Sequence, residues 1–332
     1  MHTGSVTALP TTRRAPQSTV PMSEAELPAL DQATKAWPGK VVESAGITLH
    51  VRRTPGVGPV TALYVHGLGG SATNWTDLAA SLAGFAPGIA VDLPGFGRSE
   101  PPEGYTYALT AHADALATWL RGLELGPVHL LGNSMGGAIS ALLASRHPDL
   151  VRTLTLISPA VPDRRPLASR MSDRRIPLAF LPVVGTRVRH ALANLTPGER
   201  AAQMLTLCYA EPWTVTEERL AEATEEYAER AGMAWAGPAL AASTIGLIRA
   251  WFAFGARSLW RALPRIKAPT LVIWGDRDKL MSVRKAPRTT RLIPRAKLLV
   301  LPRTGHVAQM ERPSTVARAV LGLWETAEAG DW

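Results

Sequence analysis

A single cysteine in 332 residues, Cys208, excludes an internal disulfide framework and any cysteine-rich zinc site. Aromatic residues are scarce at 6%, and acidic ones are outnumbered: Lys and Arg total 36 against 27 Asp and Glu, for a formal charge of +9. Unbroken apolar runs are missing too. The charge-free stretch 125–145 is long enough to raise a membrane span, but Gly126, Pro127, Gly132, Asn133, Ser134, Gly136 and Gly137 divide it into a strand, a turn and a helix. The Ala-rich stretch 231–248 is interrupted by Gly237 and Pro238, which argues against a span there. No apolar run follows the Arg13-Arg14 pair, so no export signal is expected. Residues 1–38, rich in Thr, Pro, Ser and Ala, are expected to form a flexible tail, and the location to be cytoplasmic.

What remains is a chain of 46% hydrophobic residues, too apolar for general disorder and long enough for one large domain or a core with a sizeable insertion. Basic residues crowd 265–303, from Arg265 and Lys267 to Lys297 and Arg303, against only Asp276 and Asp278. Such a face is either solvated or serves to steer an anionic substrate or adhere to an anionic surface. No aromatic platform or groove-reading motif accompanies it, so nucleic acid is not an expected partner.

Short strand-like runs alternate with longer helical patterns, which predicts a mostly parallel sheet covered by helices on both faces. Strands are expected at 61–65, 89–93, 128–132, 154–158, 270–274 and 298–301, and helices at 75–82, 107–123, 135–146, 282–292 and 315–324. Between 159 and 264 the pattern is helical and irregular. The chain is therefore divided into the tail (1–38), a first part of an α/β core (39–158), an inserted helical lid (159–264) and a second part of the core (265–332). The acidic stretch 217–229 is expected to be a solvated helix face.

Gly132-Asn133-Ser134-Met135-Gly136 follows a strand and opens a helix, the context that turns a common pentapeptide into a nucleophile elbow. The strained turn there needs flanking positions without side chains, and Gly132, Gly136 and Gly137 supply them. A serine hydroxyl needs a base, and the base needs a carboxylate to hold its tautomer. His306 alone among the histidines sits in a Gly-containing loop directly after an apolar strand. His66 belongs to a glycine turn, His129 to a strand, and His147 to a helix end; His2, His50, His112 and His190 have no motif around them. Asp276 and Asp278 both lie just past the 270–274 strand, within reach of that histidine. The amides of Leu68, in the His66-Gly67-Leu68-Gly69-Gly70 loop, and Met135, after the nucleophile, are candidate oxyanion donors.

These residues resemble an α/β-hydrolase of the lid-bearing serine kind. The matching motifs are HGLGG (66–70), DLPGFGRS (92–99), GNSMGG (132–137), PTLVIWGDRD (269–278) and TGHVAQMERP (304–313), in family order from about residue 41 to the end. The resemblance implies the α/β-hydrolase fold, no cofactor or metal, and Asp278 as the acid. It also implies Asn133, before the nucleophile, as a substrate-binding position similar to that of meta-cleavage product hydrolases, which cleave carbon–carbon bonds. Those enzymes usually carry Trp after the histidine, where this chain has Val307, and a lid arginine, for which Arg170, Arg174, Arg175, Arg187 and Arg189 are the candidates. Ser134 in the nucleophile position speaks against epoxide hydrolases and haloalkane dehalogenases.

The expected function is hydrolysis of a small apolar carboxylic ester or related acyl compound through an acyl-serine, as in carboxylesterases. A carbon–carbon hydrolase is the alternative, and a non-catalytic ligand receptor on the same fold is a third reading. Within the insertion, 177–184 and 245–260 with Trp251, Phe252, Phe254 and Trp260 either line an apolar channel or pack on their neighbours. Arg249, Arg257 and Arg261 interleave with those aromatics, a pattern also seen in helices that lie on anionic membranes. Cys208 reads as a packed residue, not a reactive thiol.

Overall fold

The computed structural model describes residues 20–163 and 194–332. Eight strands form one sheet: β1 (Gly39–Ser44), β2 (Ile47–Thr54), β3 (Ala62–Val65), β4 (Gly88–Val91), β5 (Val128–Asn133), β6 (Val151–Ile157), β7 (Thr270–Gly275) and β8 (Ala296–Leu301), in the order β1-β2-β4-β3-β5-β6-β7-β8. Only β2 runs against its neighbours; the pairs from β4 to β8 are parallel. The chain winds outward from β3 in both directions, so a crevice opens between the carboxyl ends of β3 and β5, where open α/β sheets place their ligands.

Side chains alternate between two cores, as the pleat requires. Leu63, Leu130, Leu154, Val272 and Trp274 point into one, packed under the helices α2 (Leu109–Leu123) and α3 (Met135–Arg146). Tyr64, Leu131, Ile157, Leu271 and Ile273 point into the other, with Leu78 of α1 (Thr76–Leu82). The central strands β3, β4, β5 and β7 are buried along their whole length, which is why they read as unbroken apolar runs rather than alternating ones.

The long helices in the described part of the insertion between β6 and β7 are α4 (Pro197–Cys208), α5 (Glu217–Ala231) and α6 (Ala236–Trp251). Thr196 and Glu199 form a capping box at the start of α4, and the Thr216 hydroxyl caps α5. The acidic face of α5 is not simply solvated: Glu226 accepts from the Ser71 hydroxyl at 2.6 Å, Glu229 pairs with Arg98, and Arg219 binds Asp77 of α1 at 2.6 Å. Beyond β7 come α7 (Ala286–Leu292), the short α8 (Ala308–Glu311) and α9 (Pro313–Glu328). No single helix among the described residues is long and apolar enough to cross a membrane.

Two expectations need correction. The β1–β2 hairpin, absent from the expected strands, turns on Ala45 and Gly46, whose φ of 49° and 77° suit the tight turn that joins twisted strands. The tail is not free from residue 20 onward. Ser23 exchanges backbone and side-chain bonds with Arg318 and Glu325 of α9, and a Cβ on Gly322 would stand 2.1 Å from the Pro21 carbonyl, so only glycine lets the tail cross there. Residues 177–184, His2, His190 and the five candidate lid arginines lie outside the described residues.

Three buried histidines are held neutral, mainly by burial: His66 at about 4, His112 at about 3 and His129 at about 4, against an ordinary 6.5. His129 stacks on Trp324 with ring centroids 4.1 Å apart. The unfolded chain takes up protons at these sites below 6.5 and the folded chain does not, so stability is full above that pH and is lost as pH falls. Glu226 and Glu311, raised by burial, act with the opposite sign above their ordinary 4.5. The histidine contribution is therefore lost most steeply between about pH 6.5 and 5, with an upper limit of about 4 kcal/mol per pH unit for the three together, and the two glutamates make the net slope shallower than that. Urea midpoints across that range check it; a flat profile contradicts it.

Candidate active site

β5 delivers the chain into the crevice and α3 leaves it one residue later. The residue between, Ser134, has φ 55° and ψ −119°, a left-handed backbone that an L-residue adopts only under constraint. The constraint is visible. The Ser134 amide donates to the Ile157 carbonyl at 3.0 Å, and its carbonyl accepts from Ala138 at 3.1 Å and Ala160 at 2.8 Å. A Cβ on Gly136 would lie 2.3 Å from the carbonyl oxygens of both Val65 and His66, and one on Gly132 would lie 2.4 Å from Ser140 Oγ. The glycines of the pentapeptide are thus space requirements of the turn.

His306, in the loop after β8, and Asp278, just past β7, are both buried. His306 Nδ1 meets Asp278 Oδ2 at 2.9 Å. Asp278 Oδ1 accepts the amides of Leu280 and Met281, each at 2.8 Å, so the carboxylate is fixed from the other side. An ionised carboxylate only accepts, which puts the proton on Nδ1 and leaves Nε2 as the basic atom. The two aspartates left open by spacing are thereby separated: Asp276 is exposed, and among the described residues its carboxylate accepts only from the Thr304 amide, at 3.4 Å.

Asn133, expected to touch substrate, has its side-chain amide bonded to backbone. Its Nδ2 donates to the carbonyls of Ile157 at 3.2 Å and His306 at 3.0 Å, and the residue is 4% exposed. Both amide protons are spent on backbone, so Asn133 ties the residue before Ser134 to the backbone of His306. No hydrogen bond joins Ser134 Oγ to His306 among the described residues; Asn133 brings the two to one edge.

The 66–70 loop packs beside the serine. A Cβ on Gly67 would stand 3.1 Å from Ser134 Cβ. His66 holds this loop from beneath, Nδ1–H donating to the Gly67 carbonyl at 2.7 Å while Nε2 accepts the Leu93 amide at 3.0 Å, a pattern that only the neutral ring can make. Among the described hydrogen bonds neither the Leu68 nor the Met135 amide has an acceptor, and Met135 opens α3, where the dipole favours negative charge.

One pair escaped the sequence reading. Asp92 Oδ2 meets His50 Nδ1 at 2.7 Å, and Asp92 also accepts the amides of Ala72 at 2.7 Å and Arg98 at 2.9 Å. Burial works against the charged carboxylate, but these bonds hold it below the usual range. The DLPGFGRS motif carried the signal: Gly97 has φ 50°, and a Cβ there would fall 2.2 Å from the Asp92 carboxyl carbon. Burial, with the charges of Asp278 and Glu311, pushes the Cys208 thiol up to about 12, so it stays protonated. No cluster of three metal-ligating side chains occurs among the described residues. Arg265, Lys267 and Arg295 line a groove of about 690 Å³ with Arg146 and three prolines, at the amino ends of β7 and β8. Ser134, Asp278 and His306 sit at the carboxyl ends, so this part of the basic stretch faces away from them.

The alpha/beta hydrolase fold family model matches residues 63–313, and the chain belongs to that family. A 2-hydroxy-6-oxononadienedioate/2-hydroxy-6-oxononatrienedioate hydrolase of Burkholderia vietnamiensis is 28% identical over 295 residues, 88% of this chain and 96% of the relative. Lipase 1 of Psychrobacter immobilis is 27% identical over 251 residues, 75% of this chain and 72% of the relative. The crystal structure of a bacterial membrane phospholipase A superposes with a TM-score of 0.69 at 25% identity, covering 88% of this chain and 87% of that one.

Replacing Asn133 with Asp puts a pure acceptor against two carbonyls. Turnover of a short aryl ester should fall by about 10- to 100-fold in N133D with the fold kept, as for other groups that orient a reactive residue. Undiminished turnover in folded N133D contradicts the clamp.

Proposed function

We propose that the chain is a serine hydrolase that cleaves a carboxylic ester or related acyl compound with Ser134, His306 and Asp278. The observation that carries the reading is the buried His306–Asp278 bond at 2.9 Å, held at the same sheet edge as Ser134 by the Asn133 amide. In this reading Ser134 Oγ attacks the acyl carbon while its proton passes to His306 Nε2. The Leu68 and Met135 amides receive the charge that forms on the carbonyl oxygen. His306 then gives the proton to the leaving alcohol. Water, deprotonated by the same nitrogen, releases the acid and restores the serine. Asp278 orients the ring and stabilises its cation.

The insertion acts as the lid. Trp251 Nε1 donates to the Ala160 carbonyl at 3.0 Å, and Leu240 Cδ1 comes within 3.6 Å of a Cβ built on Gly69, so α6 reaches over the 66–70 loop. A roof of Ala, Leu and Trp side chains suits an apolar substrate.

Carbon–carbon cleavage of a ring-fission product is the second reading, favoured by the likeness to the Burkholderia hydrolase over 96% of that relative's length. Wild-type protein should hydrolyse p-nitrophenyl esters of graded chain length, and S134A should lose at least about 10³-fold of that rate while folding normally. Full activity in S134A ends the proposal. Loss of the visible absorbance of a ring-fission dienoate, with inert esters, transfers the site to the second reading.

A further inference from the structure

The insertion touches every loop that carries the proposed chemistry, and it does so through directional bonds. At the end of α4 the Cys208 carbonyl accepts the His306 amide at 2.7 Å. The Glu311 carboxylate bridges the amides of Gly305 at 2.7 Å and Ala210 at 3.0 Å, one on the histidine loop and one on the insertion. Lys279, next to Asp278, donates to the carbonyls of Thr206 at 2.7 Å and Tyr209 at 3.0 Å. At the end of α5, Arg230 Nη1 donates to the Gly69 carbonyl. The Gly70 amide closes on the Gly67 carbonyl at 3.0 Å, so residues 67–70 form one turn in which the Gly69 carbonyl and the Leu68 amide move together.

The packing leaves no slack at the first of these joints. A Cβ on Gly305 would stand 2.3 Å from the Cys208 carbonyl oxygen and 2.6 Å from the Ala210 nitrogen. Excluding water from a site requires only apolar cover. Hydrogen bonds to the backbone of the histidine and oxyanion loops fix where those loops stand.

We propose that Arg230 and Glu311 are positioning residues through which the insertion completes the active site. Arg230 aims the 67–70 turn, and with it the Leu68 amide, at the oxyanion. Glu311 and the Cys208 carbonyl hold the Gly305 and His306 amides so that the imidazole faces Ser134. Seating the insertion and assembling the site are then one event. This rests on the serine-hydrolase reading above.

The test uses the full chain, p-nitrophenyl acetate, and a trifluoromethyl ketone whose serine adduct carries an oxyanion. R230M should lower kcat by about 10- to 100-fold with KM within about threefold, and should weaken the ketone by the same factor. R230K, which keeps a cation on a shorter arm, should recover part of both losses and serves as the graded case if R230M does not fold. E311Q turns one acceptor oxygen into a donor facing an N–H and should lower kcat by about tenfold or more at unchanged KM; E311D, which keeps the carboxylate, is its graded counterpart and should fall between. Unchanged kcat and ketone affinity in the folded variants overturn the proposal. So does a rise in KM alone, which would mark a substrate contact instead. If wild-type protein turns over no ester, the underlying reading fails and this inference with it; if wild type is active and the variants match it, only this inference fails.

Discussion

The left-handed backbone of Ser134 is the constraint on which the rest of the structure depends. Strain of this kind costs of order 1–3 kcal/mol and survives only where the surroundings over-determine it. Here the surroundings are Ile157, which accepts from the serine amide, and Ala160, which donates to its carbonyl. Those two residues end β6 and begin the insertion. The turn at Ser134 and the root of the insertion are therefore tied to each other by hydrogen bonds, and the glycines at 132 and 136 are what allow strand, helix and loop to meet there.

Among the described residues a buried histidine–aspartate pair occurs twice. Asp278 with His306 and Asp92 with His50 have similar separations, 2.9 and 2.7 Å, and both aspartates accept further backbone amides. Their chemistry differs by location alone. His50 lies on β2 and joins that strand to the loop after β4, which makes the pair a fastening between elements. His306 stands at the carboxyl edge beside the serine. An isolated His–Asp contact says little about function; its place relative to a nucleophile says much.

Legibility followed the range of the interactions. The elbow, the 66–70 loop and the buried strands could be read because each depends on residues close in sequence: glycines where backbones approach, and apolar runs where both sheet faces are covered. The β1–β2 hairpin was missed because β1 is a mostly exposed edge strand carrying Lys40 and Glu43, with no apolar run to mark it. The resemblance implies a substrate position for Asn133, whereas its bond to His306, 173 positions away, is beyond the reach of any spacing rule. The choice between Asp276 and Asp278 turned on which carboxylate the amides of Leu280 and Met281 meet. The tail from residue 20 owes its place to a glycine on α9, equally remote in sequence.

The proposed chemistry requires that His306 make Ser134 nucleophilic. The most direct measurement is the rate at which a fluorophosphonate labels the folded protein, with the modified residue located by peptide mass spectrometry. Stoichiometric labelling at Ser134 is expected in the wild type, with a rate lower by about 10³-fold or more in H306Q. Labelling at another residue, or an equal rate in folded H306Q, would contradict it.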